Sequence, residues 1–199
     1  FGRDLVNWNN NFTWAKWVTP SRDLISAFKQ EGDEVRFKES IVYYDCNWSN
    51  YYPSDNYPFM YKCRSANSSI IKYRYADVLL LKAEALIMQD TPDLEGAADI
   101  IDKVRDRAKL VALPTSVRSN KNAMLNALLK ERRLELAFEG QRWFDLVRLD
   151  KVEEVMNAVH AKDSGRKAQV YTYDKNSYRL PIPQSVIDAN DKIHQNPGY

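Results

Sequence analysis

The sequence predicts a mainly α fold, with helix pairs of tetratricopeptide type, long loops and a few short β-strands. Three observations lead there. Apolar residues recur at Leu125, Leu128, Leu129, Leu136 and Ala137, the spacing of one helix face, within a stretch that runs on to Asp150. Two further apolar-periodic stretches, Tyr73–Met88 and Asp93–Leu110, follow one another across Asp90-Thr91-Pro92. Consecutive helices joined by a short turn, with Ala at their contacts, are the unit of a helical repeat. The third observation is that Phe1–Val18 and Tyr43–Tyr61 are crowded with aromatic and amide residues and follow no helical period.

Taken in order, Phe1–Val18 reads as a loop carrying Trp8, Trp14 and Trp17. Thr19 as N-cap and Pro20 at the first position predict a helix that uses Leu24, Ile25 and Phe28 and ends near Gly32. Val35, Phe37, Ile41 and Tyr43 alternate with polar residues, which predicts a short strand. Tyr43–Tyr61 holds eight aromatic residues and no Leu, Ile or Val, so it reads as a long loop rather than a packed element. Tyr73–Met88 is apolar on most of its circumference and should be largely buried. Pro114–Ser119 is a linker, and Asn120 or Asn122 could cap the helix that follows. Gly140 marks a break. Beyond it Trp143, Phe144, Leu146 and Val147 resume the apolar face, and Glu139, Arg142, Asp145 and Arg148 are spaced to pair. Arg142 and Asp145 are expected to be structural, holding the two halves together. Val152–Val159 predicts one more helix, and residues around Asp174–Ser177 a hairpin. The apolar residues Ile182, Val186, Ile187 and Ile193 are expected to pin the Pro-containing tail.

At 199 residues and 44% hydrophobic content the chain fits one domain, 1–199, with a substantial core. Within it, 1–72 is loop-rich and aromatic, 73–160 helical, and 161–199 hairpin and tail. A formal charge of +2 from 29 basic and 27 acidic residues argues against nucleic acid. No stretch is long and apolar enough for a membrane span, and the start does not read as a signal peptide. Cys46 and Cys63 are the only cysteines. They could pair across the intervening loop or remain free and buried.

Three segments carry a resemblance: ERRLELAFEGQRWFDLVR at Glu131–Arg148, YRYADVLLLKAEALI at Tyr73–Ile87 and LPIPQSVIDANDKIHQNPGY at Leu180–Tyr199. In this order they resemble the C-terminal part of the SusD/RagB family of surface nutrient-binding lipoproteins. The resemblance implies a SusD-like fold and a non-catalytic protein that captures oligosaccharide or another nutrient. It further implies a SusC-like TonB-dependent transporter as partner and a place on the surface of the outer membrane. The lipid anchor is expected on a preceding part of a longer protein.

The residues themselves hold little catalytic chemistry. A glycosidase needs an acid pair with one raised pKa, and Glu131, Glu135 and Glu139 lie beside arginines expected to lower theirs. His160 and His194 have no partners at metal-ligand spacing, and no GxSxG, HExxH or phosphate loop occurs. No enzyme, cofactor or metal site is expected. Aromatic rings beside short amides suit the C–H faces and hydroxyls of a sugar. Trp8, Trp14, Trp48 and Tyr51 are therefore the candidate ligand-binding residues. The same rings could instead pack the loops onto the helices. The alternative function is a helical-repeat interaction module with no small ligand.

Overall fold

The computed structural model describes residues 19–46, 49–62, 71–162 and 172–199. It is mainly α, and the chain divides into two compact units, Phe1–Arg142 and Trp143–Tyr199.

In the first unit, α1 (Arg22–Glu31) starts at Ser21, whose hydroxyl accepts the Leu24 N–H, and ends at Gly32 with φ 68°. Ser21 displaces the expected Thr19 cap because its hydroxyl reaches an open amide of the first turn. α2 (Glu34–Ser40) stands where alternation suggested a strand. Asp33 caps it by accepting the Arg36 N–H at 3.2 Å, and extended backbone begins only at Ile41. β1 (Ile41–Tyr44) pairs antiparallel with β2 (Tyr57–Met60), Ile41 opposite Met60 and Tyr44 opposite Tyr57. The region expected to be an unpacked loop is thus a hairpin around an aromatic cluster. Tyr57, Phe59 and Cys46 are buried, with Tyr51 and Tyr52 packed against them. Aromatic rings bury as much surface as the missing aliphatics would, about 150–250 Å² each. Cys63 lies outside the described residues.

The helix pair is α3 (Tyr75–Met88) and α4 (Leu94–Arg107), the second capped by Asp93 accepting the Gly96 N–H at 2.9 Å. Short α5 (Thr115–Arg118) occupies the linker, and Asn120 caps α6 (Lys121–Glu135), accepting the Ala123 N–H. Leu80, Ala83 and Ile87 of α3, Ala97, Ile101 and Val104 of α4, and Met124 and Leu128 of α6 form the main core. Each fully buried large aliphatic there contributes roughly 1.5–3 kcal/mol. At its other end α6 sends Leu134 into a second cluster with Ile25, Phe28, Ile41 and Ala137. One helix therefore joins two cores. It ends in a turn over 136–140, where Phe138 has φ 67° and Gly140 φ 80°. A Cβ on Gly140 would meet nothing within 4 Å, so glycine serves the backbone there rather than the packing.

In the second unit, α7 (Arg142–Arg148) begins at the boundary and is followed by α8 (Val152–Lys162) and α9 (Gln184–Asp188). Leu146 and Val152 are fully buried. The expected hairpin is absent among the described residues. A 3₁₀ turn, Lys175–Tyr178, forms instead, because Asp174 accepts the Asn176 and Ser177 N–H groups in a capping box. Val170 lies outside the described residues. The tail is held more by amides than by the aliphatics expected to pin it. The Gln195 side chain accepts from Ile182 N–H and donates to Ile182 C=O, and Asn196 Nδ2 donates to Leu180 C=O. Val186 remains exposed.

Candidate functional site

Between the two cores of the first unit, α6 presents its charged residues inward. Glu131 and Glu135 are only 1% and 2% exposed, yet both are closed by arginines from other elements. Arg36 donates from Nε to Asp33 at 2.5 Å, and from Nη1 to Glu131 at 2.6 Å and Glu135 at 3.1 Å. Arg105 Nη1 reaches Glu131 at 3.2 Å and Glu31 at 2.7 Å. Arg74 donates to Glu135 Oε1 at 2.6 Å, to Glu139 Oε2 at 2.7 Å and to the Glu135 carbonyl at 2.7 Å. Lys62 donates to that same carbonyl at 2.7 Å and pairs with Glu139 at 2.5 Å. One turn along, buried Arg132 pairs with buried Asp77 of α3 at 2.9 Å.

The two central acids titrate in opposite directions. Burial would raise Glu135, but the hydrogen bonds and charges of Arg74 and Arg107 hold it down at about 2. Glu131 is raised, because its burial outweighs Arg36 and Arg105 and the Glu135 charge adds to the effect. That corrects the expectation that neighbouring arginines would lower all of these acids. Glu131 is nevertheless walled in by protein, so no sugar reaches it as it stands. Burial opposes the charged forms of Arg36 and Arg74, and their carboxylates outweigh it and raise both.

Around Gly140 the charged residues spaced by three take the following partners. Asp145 accepts from Arg148 at 2.8 Å, while Glu139 turns to Arg74 and Lys62. Arg142 Nη1 donates to the Leu129 carbonyl at 3.2 Å, bracing the far side of the 136–140 turn against α6.

One side of the network opens into a cavity of about 270 Å³. Its wall includes Arg36, Lys62, Arg74 and Arg107 with Glu39 and Glu135. Arg107 is the exposed member, its side chain 61% accessible, and among the described residues it contacts Glu135 through Nη2. Arg36 Nη2 finds no hydrogen-bond partner among the described residues.

Of the candidate ligand residues, Trp8, Trp14 and Trp48 lie outside the described residues. Tyr51 is half-buried on the loop between β1 and β2. Its ring meets Tyr52 edge-on at 4.9 Å, and Tyr52 meets Tyr57 at 5.5 Å. The Arg22 guanidinium lies 4.2 Å from the Tyr51 ring centre and 4.4 Å from that of Tyr52, and also donates to the Tyr51 carbonyl. Tyr52 Oη donates to the Pro20 carbonyl at 2.8 Å. Tyr51 thus belongs to a fixed aromatic cluster that α1 braces. Arg22 was missed from sequence because a cation stacked between two rings about thirty positions away leaves no local pattern. Among the described residues no group of three or more His, Cys, Asp or Glu is placed to hold a metal ion. No described helix is long and apolar enough to cross a membrane.

Two SusD-like proteins of Formosa agariphila are similar to this chain, at 40% identity over 139 residues and 32% over 142. The matches cover 67% and 68% of this chain but 25% and 27% of the relatives, so the chain spans about a quarter of their length. The fold is similar to that of a SusD superfamily protein from Bacteroides vulgatus, with TM-score 0.67 and 22% identity over 91% of this chain and 44% of that one. A laminarin-binding SusD-like protein has TM-score 0.60 and 28% identity over 91% of this chain and 38% of its own. Residues 54–199 match the SusD family, and they contain all three segments that carried the resemblance. The chain belongs to the SusD family.

Proposed function

We propose that this chain is part of a glycan-binding protein that captures oligosaccharide at the outer membrane surface and hands it to a SusC-like TonB-dependent transporter. The observation that carries the reading is the 28% identity and shared fold with a laminarin-binding SusD-like protein. The ligand site is placed on the aromatic loops, with Trp8, Trp14, Trp48 and Tyr51 as stacking residues. The braced Tyr51–Tyr52–Arg22 cluster supports this, since rings held in place lose little freedom when a sugar stacks on them. The protein acts without hydrolysing its ligand and is held to the membrane by a lipid anchor.

The test is retention on gels containing different polysaccharides, with reducing ends followed over time. Retention on at least one neutral or acidic glycan without release of reducing ends is expected. Retention on none, or release abolished by a single Asp or Glu substitution, would contradict the reading. A protein-interaction module is the second reading, and the exposed apolar residues Tyr75, Val78 and Met88 on α3 favour it. It predicts no retention on any glycan.

A further inference from the structure

The ion network contains more donors than its carboxylates use, and the surplus lies on the cavity. We infer that the cavity walled by Arg36, Lys62, Arg74 and Arg107 takes an oxyanion, a carboxylate or sulfate group carried on the captured sugar. This rests on the glycan-binding reading above.

Glu135 is engaged on both oxygens: one accepts from Arg74 and Arg107, the other from Arg36. Arg74 is spent as well, with all three of its nitrogens bonded to Glu135 or Glu139. Arg107 is not. It gives one contact through Nη2, and its Nε and Nη1 edge has no partner among the described residues. Lys62 uses two of its three ammonium hydrogens, on the Glu135 carbonyl and Glu139. The four cations in the wall face Glu39 and Glu135 there and Asp33, Glu131 and Glu139 behind it, so open N–H positions rather than net charge are what remain. The groups that remain open are therefore cationic N–H donors, the chemistry that pairs with a planar or tetrahedral oxyanion. A neutral hydroxyl would gain less from these donors, since charge-assisted hydrogen bonds are the stronger ones. At about 270 Å³ the space admits a substituted sugar ring rather than a lone ion.

The test is calorimetric titration of glucuronate and of glucose into the protein and into Arg107→Gln and Lys62→Gln, with melting temperatures recorded alongside. Glucuronate is expected to bind at least tenfold more tightly than glucose. It should lose at least tenfold in Arg107→Gln and severalfold in Lys62→Gln, weaken with added salt, and be displaced by inorganic sulfate. Equal affinity for the two sugars, no displacement by sulfate, or unchanged affinity in both variants would overturn the inference. Equal retention on neutral and acidic polysaccharide gels would also overturn it, while leaving the capture reading intact. Glucuronate binding by a protein that no polysaccharide gel retains would sustain the pocket and sink the capture reading.

Discussion

The first unit contains two densely polar-aromatic regions that do opposite things with their side chains. Around α6, charges from distant parts of the chain close on one another until Glu131 and Glu135 are sealed. On the β1–β2 hairpin, rings pack edge to edge but leave Tyr51 and Tyr52 half exposed, with a cation stacked on them. A region whose members satisfy each other has little left for a ligand except at its rim, whereas a fixed, half-exposed ring still offers surface for a sugar to stack on. Charge density alone is thus a poor guide to function here. What separates architecture from candidate site is how far the groups are closed off from solvent.

The largest effect is expected from breaking the sealed region. Glu135→Gln removes the charge that three arginines face, and leaving buried cations uncompensated costs about 3–5 kcal/mol. Urea denaturation measures this, and a variant as stable as the parent would show the network to be dispensable. The pH dependence follows from the same residue. Its folded pKa of about 2 lies below the ordinary 4.5, so it contributes stability that is fully present above about 4.5 and lost as pH falls towards 2. Unfolding free energy measured across that window should fall for the parent and fall less for Glu135→Gln. Glu131 is shifted the other way, so its contribution is present below the ordinary 4.5 and is lost as pH rises above it, outside the window in which Glu135 acts.

On the hairpin, Tyr57→Ala removes a fully buried ring and should cost about 3 kcal/mol, with near-ultraviolet dichroism reporting the loosened cluster. Tyr51→Ala gives up a half-buried ring that includes an edge-on contact and a cation–ring contact, so about 1 kcal/mol is expected. The smallest effect belongs to Lys38→Ala. Its pair with Glu34 on α2 is exposed on both sides, and exposed pairs are solvated and screened. Its melting temperature should match the parent within error.

Much of this fold was legible in the sequence, for reasons that are local. Asn120 caps α6 and Gly32 ends α1 because a side chain and a missing Cβ act within a few residues. The α3–α4 pair follows from apolar spacing that packing then satisfies. Several failures are places where a distant partner decided the outcome, while at Ser21 and Asp174 a local side-chain cap did. Val35 and Phe37 alternate like a strand, but Asp33 caps a helix there and Arg36 is drawn inward by Glu131 and Glu135, some hundred positions away. Tyr43–Tyr61 looked unpacked because it lacks aliphatics, yet its rings do that packing across the hairpin. The raised Glu131 could not be read from its arginine neighbours in sequence, since its depth of burial sets the direction. Within the proposed site, Tyr51 is a residue type legible in the sequence, while Arg22 beside it and the cavity beside Arg107 are not.

The comparison between the two regions is tested most directly by measuring glycan affinity and melting temperature together for Tyr51→Ala and Trp48→Ala. A polysaccharide that the parent retains serves as ligand. The account predicts at least a tenfold loss of affinity with the melting temperature lowered by no more than a few degrees. Intact affinity in both variants, with a lowered melting temperature, would show that the rings only pack the fold.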